Sequence, residues 1–325
     1  MKIERVVNLP SGRIFLLYTN DNYLIEATEM QDVSVGGKEH EIVRETQDPR
    51  IIWQHLVPHK DKWLMTVSTQ KGCTHQCKFC DVGNLPFKGN LTQSEIEDQI
   101  KIILNNTPYV AQSNKAKIGF ARMGEPSWNL KAVLETIKRL PILSEELNRD
   151  FKWLPCFNTI LPRKAPCLEE VIDVKENNYN GFLHLQISCN STDETTRMKL
   201  LGGAKILTLD EVIEQINKLK ITNRTVTLNF IVMKDVEIDV QKLKKMGMKA
   251  DKFSVKLIPL NHTETGESNK LETLANYSNY QKLVQLRDDF LKEGIPTVMD
   301  AIARCEEAGL CCGQTAQIFL NKPQV

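Results

Sequence analysis

Long apolar runs are missing from this 325-residue chain. No stretch of about 18 uninterrupted apolar residues occurs, so no membrane-spanning helix and no membrane partner are expected. The opening residues, Met1-Lys2-Ile3-Glu4-Arg5, lack the apolar core of a signal peptide. Excess charge is missing too. Lys and Arg total 42 against 41 Asp and Glu, a net charge of +1. A chain that grips a long nucleic acid usually carries a basic surplus. The one locally basic run, residues 242–249, reads as a solvated helix face. Cysteines number only nine and are irregularly spaced. That excludes a disulfide scaffold and points to a reducing, cytoplasmic location. No internal repeat or low-complexity tract is visible.

What is present is a 41% hydrophobic composition, ample for a core, and a change of rhythm near residue 62. Residues 1–62 read as a small β-rich extension. Strands are expected at 13–18 and 23–28 around a turn at 19–22, with another at 39–44. Nothing in this unit looks catalytic; it is expected to cap the floor of a barrel or to help recognise a substrate. Beyond it, strand, loop and helix repeat. Strands are expected at 64–69, 117–122, 153–158, 182–188, 225–232 and 253–260, with a last one at 295–299. Pro155 weakens the third of these. Thr92-Gln93-Ser94-Glu95 is a capping box, followed by Ile96, Ile100, Ile103 and Leu104 at helical spacing. Further helices are expected at 130–140, 207–220 and 279–293. Six strands alternating with helices argue for an α/β fold with parallel strands and right-handed crossovers. The expected architecture is a partial (β/α)6 barrel over residues 63–303. Chemistry in such barrels gathers at the C-terminal strand ends.

Cys73, Cys77 and Cys80 follow the first barrel strand with the spacing C-x3-C-x2-C. Three thiolates on one short loop can hold three irons of a four-iron cluster, leaving the fourth iron open to a substrate. Zinc is the alternative. Structural zinc takes four ligands, usually from two C-x2-C pairs. No second pair lies nearby, and His75 is inside the loop itself. After the second strand comes Met123-Gly124-Glu125-Pro126. A glycine leaves the backbone open to a ligand, and a carboxylate beside it accepts hydrogen bonds from an ammonium.

The cysteine spacing resembles that of the radical S-adenosylmethionine (SAM) superfamily. The resemblance implies a [4Fe-4S] cluster on Cys73, Cys77 and Cys80 that binds SAM by its amino and carboxylate groups. One electron then cleaves SAM to methionine and a 5′-deoxyadenosyl radical. An electron donor such as a flavodoxin or ferredoxin is implied. Gly124 and Glu125 would receive the SAM amino group. Phe79 is expected near the SAM adenine, with simple core packing as its other reading.

Four segments in order, residues 80–92, 123–129, 256–261 and 311–314, resemble the RlmN/Cfr group of adenine-carbon methyltransferases of ribosomal RNA and tRNA. The similarity covers roughly residues 60–316, and Cys312-Gly313-Gln314 is its most diagnostic part. In that group the corresponding cysteine is methylated by SAM. The radical from a second SAM removes hydrogen from that methyl, and the carbon radical adds to the base. The resemblance thus makes Cys312 the methyl carrier, in a C-terminal segment, 304–325, that closes the active site. It also assigns SAM contacts to Cys156, Ser188, Asn190 and Asn261. Asn190 stands where the group has histidine and Cys156 where it has serine. Asn158, two residues on and on the same strand face, is a substitute for Cys156. Cys156, Cys167 and Cys189 read otherwise as small buried hydrophobes, and Ser188 and Asn190 as a cap or turn pair.

Two departures stand out. Thr66 occupies the place of the group's second catalytic cysteine, seven residues before Cys73. A hydroxyl cannot resolve a covalent enzyme–base link by forming a disulfide. Cys311 and Cys305 are the candidate replacements. The β-rich extension also stands in place of the group's helical RNA-gripping accessory domain. Three functions follow. The first is methyl transfer through Cys312 to an unreactive carbon of RNA or a nucleotide. The second is hydrogen abstraction from a small molecule, nucleotide or peptide without methyl transfer. The third is iron–sulfur binding or electron transfer alone.

Overall fold

The computed structural model describes residues 1–9, 11–32, 56–275, 281–300 and 312–321. The strand expected at 39–44, and Cys305 and Cys311, lie outside the described residues. Strands β1 (Lys2–Leu9), β2 (Gly12–Tyr18), β3 (Leu24–Gln31) and β4 (Trp63–Thr66) pair antiparallel in sequence. A short antiparallel pair, β5 (Gln70–Lys71) and β6 (Gly89–Asn90), flanks the cysteine loop. Parallel pairing runs from β4 through β7 (Gln112–Gly119), β8 (Asp150–Thr159), β9 (His184–Ser188), β10 (Val226–Val232) and β11 (Phe253–Pro259) to β12 (Thr297–Met299). All but β5 and β6 form one sheet, in the order β1-β2-β3-β4-β7-β8-β9-β10-β11-β12. The parallel part is the partial barrel. The described strands of the extension join its sheet at β4.

Strand alternation builds two different faces. Ile118, Phe157, Leu185, Leu228 and Val255 share one core with helix residues Ile96, Ile100, Ile137, Val171 and Ile213. The opposite face is polar. His184 Nε2 lies 2.7 Å from Thr227 Oγ1, Thr227 Oγ1 lies 2.9 Å from Ser254 Oγ, and Asn229 Nδ2 donates to Gln186 Oε1 at 2.9 Å. Period-2 burial on both faces of a parallel sheet permits this, because the lumen can satisfy its polar groups across strands.

Several expected bounds shift, each for a local reason. The first barrel strand stops at Thr66 and not at Thr69. Val67 N donates to Gly119 O at 2.9 Å and Thr69 N to Met123 O at 2.8 Å, so the chain follows the loop after β7. Pro155 sits inside β8. Cys156 O faces β7, where it accepts from Phe120 N at 3.1 Å. Alternation turns the nitrogen of Pro155 toward β9, whose ladder with β8 begins only at Cys156. The helix expected to end at Leu140 runs through Pro141 as Leu130–Glu146. Proline leaves the carbonyl four residues back without its donor; that carbonyl, of Ile137, accepts instead from the Tyr179 hydroxyl. Strand β1 and the helices Leu168–Tyr179 and Glu194–Leu200 carried no clear sequence sign. Among the described residues no helix is long and apolar enough to cross a membrane.

Candidate active site

The cysteine loop leaves β5 and ends in the single 3-10 turn Asp81–Asn84, with Cys80 at its N-cap. Lys78 N donates to Leu200 O at 2.8 Å, tying the loop to the chain beyond β9. Cys73, Cys77 and Cys80 are all partly buried free thiols. Burial pushes the Cys73 thiol up to about 11 and raises those of Cys77 and Cys80 as well. The thiols also feel one another's charge, and Cys73 and Cys80 feel that of Cys312. A bound cation would reverse this, since metal-coordinating thiols are deprotonated outright. Among the described residues no three His, Cys, Asp or Glu side chains converge as on one ion. Zinc draws its thiolates to about 2.3 Å from one point, whereas a four-iron cluster takes each thiolate on a different iron. His75 is committed elsewhere: its Nε2 accepts from Trp128 Nε1 at 3.0 Å, and burial holds its pKa down.

Gly124 and Glu125 follow β7 against this loop. Gly124 has φ +100°, and an added Cβ would lie 2.5 Å from Gln70 Cβ. Glycine is required on both counts. Gln70 reaches past it: its Oε1 accepts from Glu125 N at 2.9 Å, and its Nε2 donates to Asn90 Oδ1 at 2.7 Å. The Glu125 side chain is buried at 5% exposure. Its Oε1 accepts from Ser127 Oγ at 2.8 Å and Ser127 N at 3.2 Å; its Oε2 accepts from Ile160 N at 3.0 Å. Burial pushes this carboxyl up despite those donors. Among the described residues no Lys, Arg or His forms an ion pair with it.

The strands next in the row hold buried amide atoms without partners. Asn158 Oδ1 at the end of β8, Asn190 Nδ2 after β9 and Asn229 Oδ1 on β10 are buried without a hydrogen-bond partner. Asn190 adopts φ +65°, and its Oδ1 accepts from Ile231 N at 3.2 Å. Ser188 ends β9 and is partly exposed. Cys156 lies deeper in the lumen, its sulfur 3.5 Å from His184 Nδ1 and 3.6 Å from Gln186 Nε2. Cys167 and Cys189 are buried, as their small-hydrophobe reading requires. Phe79 packs at the junction of two apolar groups, one of Ile160, Leu201 and Ile206, the other of Leu200, Met233 and Leu260. Asn261 lines a cavity of about 270 Å³ with His262, Thr263 and Gly266. A larger cavity, about 640 Å³, opens on Cys73, His75 and Gln76, with Phe87 and Gly202 in its wall.

Cys312 comes to this place from the far end of the chain. Its sulfur lies 3.6 Å from Ala121 O, beside the Gly-Glu-Pro segment. Gly313, at φ +78°, lies so close to Val82 that an added Cβ would be 2.6 Å from its Cγ2 and 2.9 Å from its backbone. Gln314 opens the helix Gln314–Asn321 and donates from Nε2 to His262 O at 3.4 Å. The fold thus brings together Cys73, Cys77, Cys80, Gly124, Glu125 and Cys312.

No protein-family model matches the chain. A probable dual-specificity RNA methyltransferase RlmN of Chlorobaculum tepidum is 27% identical over 224 residues, 67% of this chain and 57% of that protein. The RlmN of a Sulfurovum species is 28% identical over 214 residues, 64% of this chain and 57% of that protein. In both cases the match spans less than two thirds of the relative's own length. A probable RlmN of Pseudothermotoga lettingae matches more widely, 26% identical over 96% of this chain and 85% of that protein. The chain resembles the RlmN methyltransferases. Its fold is shared with two solved structures. A radical SAM methyltransferase from Sphaerobacter thermophilus superposes with a TM-score of 0.66 at 18% identity, over 96% of this chain and 80% of that one. Streptococcus suis SuiB bound to S-adenosylmethionine gives 0.51 at 14% identity, over 93% and 73%.

Against the RlmN pattern, Thr66 ends β4 with its Oγ1 2.6 Å from Thr28 Oγ1 of β3. The hydroxyl is satisfied by the extension, not by the cysteine loop. Two residues near the RlmN-like cysteine escaped the sequence reading, Glu26 and Arg122. The only trace of Glu26 was a charge in the middle of an apolar strand, Leu24-Ile25-Glu26-Ala27. Its partner is 96 residues away.

Proposed function

We propose that this chain is a radical SAM enzyme of RlmN type that transfers a methyl group through Cys312 to an unreactive carbon. RNA is the substrate class that the relatives' names favour. Cys73, Cys77 and Cys80 would hold the [4Fe-4S] cluster. A cluster bound there supplies the single electron needed for SAM cleavage. The donor set fits: three partly buried thiols on one loop, with His75 turned to Trp128. SAM would lie across the strand ends. Glu125, a buried carboxylate without a cation, suits its ammonium. The unpartnered atoms Asn158 Oδ1, Asn190 Nδ2 and Asn229 Oδ1 suit its polar groups. Phe79, Cys156, Ser188 and Asn261 are weaker candidates for SAM contacts. A flavodoxin or ferredoxin and a cytoplasmic setting complete the proposal.

The observation that carries it is the meeting of Cys312 with the cysteine loop. A cluster-only protein has no use for a fourth thiol delivered from the C-terminus by a glycine pressed against Val82. The test is anaerobic reconstitution followed by incubation with methyl-labelled SAM. Four irons and four sulfides per chain, with label on Cys312 by peptide mass, are expected. Zinc at about one per chain would sink the cluster assignment. A Cys312→Ala variant that kept full transfer activity would remove the carrier role.

Thr66 favours a second reading in which the radical acts without methyl transfer. Its hydroxyl is paired with Thr28 and is no thiol. Under that reading, reduced enzyme releases 5′-deoxyadenosine while Cys312 gains no methyl.

A further inference from the structure

The helix that follows Cys312 starts without a cap of its own. Gln314–Asn321 is preceded by Gly313, which has no side chain to accept from the first turn. A serine, threonine, asparagine or aspartate ordinarily stands there. None fits here, because Gly313 is at φ +78° and Val82 fills the place of its Cβ. The first N–H groups of a helix have no acceptor within it. That of Ala316 reaches outside, to Glu26 of β3. Glu26 Oε1 accepts from Ala316 N at 2.6 Å, and its Oε2 accepts from Gly313 N at 3.1 Å. A carboxylate 290 residues away in sequence thus takes the place of an N-cap side chain. The helix dipole favours a negative charge at this end. Glu26 is itself held firmly. Its backbone pairs with Leu16 of β2, and its carbonyl accepts from Ser68 Oγ at 2.6 Å. Its side chain is fully buried, and the guanidinium of Arg122 supplies the counter-charge that burial requires. Arg122 Nε donates to Oε2 at 2.7 Å, and Nη2 stands 2.6 Å from the same oxygen.

We propose that Glu26 is a positioning residue for Cys312: as the cap of the helix Gln314–Asn321 it holds Gly313, and with it the Cys312 sulfur, between the Gly-Glu-Pro segment and the end of the cysteine loop. The consequence for catalysis rests on the methyl-carrier reading above. In that step the Cys312 sulfur, its proton lost to solvent, attacks the methyl carbon of the SAM sulfonium. A sulfur–carbon bond forms, the methyl–sulfonium bond breaks, and its electron pair stays on the departing sulfide. No oxidant or reductant is needed. The attacking sulfur must stand in line with the departing one, and an error of about 1 Å in such a placement can cost about a hundredfold in rate. Without the carboxylate, Gly313 N and Ala316 N lose their acceptor. The first turn then frays, and the cysteine one residue before Gly313 is no longer held.

The test reads amide exchange residue by residue on the full-length chain. Wild type alone examines the cap. The Ala316 N–H has no acceptor within its helix, so protection of about a hundredfold or more over an unstructured chain is expected only if Glu26 accepts from it. Exchange at the unstructured rate would overturn the inference. Two variants strike the contact from opposite sides. Glu26→Gln keeps the shape and loses the charge. Ala316→Pro removes one donor, at a first-turn position where proline takes no helix bond away. Thermal melts verify folding. In each folded variant, exchange over 313–321 is expected to quicken about tenfold or more while amides of β8 to β11 keep their rates. Unchanged rates at 313–321, or uniform quickening, would overturn the inference. In reconstituted Glu26→Gln, methylation of Cys312 by SAM is expected to slow about a hundredfold with SAM affinity within about twofold of wild type. A rate equal to wild type, or a loss matched by weaker SAM binding, would overturn the positioning role. If Glu26→Gln does not fold, Ala316→Pro carries the same comparison. Faster local exchange in a protein whose wild type never gains the methyl would retire the carrier reading and leave the cap standing.

Discussion

At the scale of single residues, Glu125 is held in an unusual state. Its oxygens accept from Ser127 and Ile160, yet burial wins and its carboxyl is pushed above the ordinary value. A folded-state value above the unfolded one gives a contribution to stability that is complete at low pH and declines as pH rises. The protein without SAM should therefore lose stability as pH climbs from about 4.5, the ordinary value, toward neutrality. Denaturant unfolding across that window checks it: the slope should flatten in Glu125→Gln. The same variant should weaken SAM binding by at least about tenfold, because a charge-assisted bond to the ammonium is lost. Calorimetry with reconstituted protein reads this directly; equal affinity would exclude Glu125 as the ammonium site. Gly124→Ala combines φ +100° with a contact at 2.5 Å to Gln70, and should cost about 1–3 kcal/mol. The cysteine loop and Gly-Glu-Pro were legible because each declares itself within ten residues. Glu26 and Arg122 were not. Their pairing joins the extension to the end of β7, and nothing local in either segment announces the other.

Among the elements, chemistry at the ends was legible and chemistry across elements was not. The capping box of Thr92 with Glu95 forms as its spacing demands, and the structure adds a second, Thr208 with Glu211. The helix Leu168–Tyr179 begins at Cys167, which makes no capping bond, so its start left no mark in the sequence. The helix expected at 130–140 differs in the other direction, running on through Pro141 to Glu146. A proline ends a helix when the freed carbonyl has nowhere to turn, but here a tyrosine from that unannounced helix supplies the donor. Tyr179→Phe should leave the Ile137 carbonyl buried and unsatisfied, at a cost of about 1–3 kcal/mol. Pro141→Ala restores an N–H that can reach the same carbonyl. The double variant Pro141→Ala/Tyr179→Phe should therefore recover most of the loss. Denaturant melts of the four proteins form a double-mutant cycle. Strict additivity would mean that the hydroxyl and the proline act independently, and the account of the helix would fail.

For the molecule as a whole, the parallel strands predict a barrel but say nothing about how its open side is sealed. Short polar contacts from four distant segments do this. Asp81 Oδ1, just after Cys80, accepts from Thr265 N at 2.9 Å and Thr265 Oγ1 at 2.7 Å. Thr263 Oγ1 donates to Phe79 O at 3.2 Å, and Gln317 Nε2 to Glu264 Oε2 at 2.6 Å. Arg5 of β1 places its guanidinium 5.0 Å from the ring centroid of Phe319. The extension, which the sequence offered as a floor or a recognition unit, is thus the seat of the helix behind Cys312. Composition could not reveal this, since a net charge of +1 sums over pairs that form only on folding. Asp81 is the point where the cysteine loop, the end of β11 and the C-terminal helix depend on one another. Asp81→Ala removes the acceptor for two donors of Thr265 and should cost about 2 kcal/mol locally. Local openings draw on local free energies. Amide exchange at residues 263–268 and 314–321 should therefore quicken by about tenfold or more, while amides of β8 to β11 keep their protection. Uniform quickening would mean that the seam is part of the global fold. Unchanged exchange at 314–321 would mean that Glu26 holds the C-terminal helix without help from the cysteine loop.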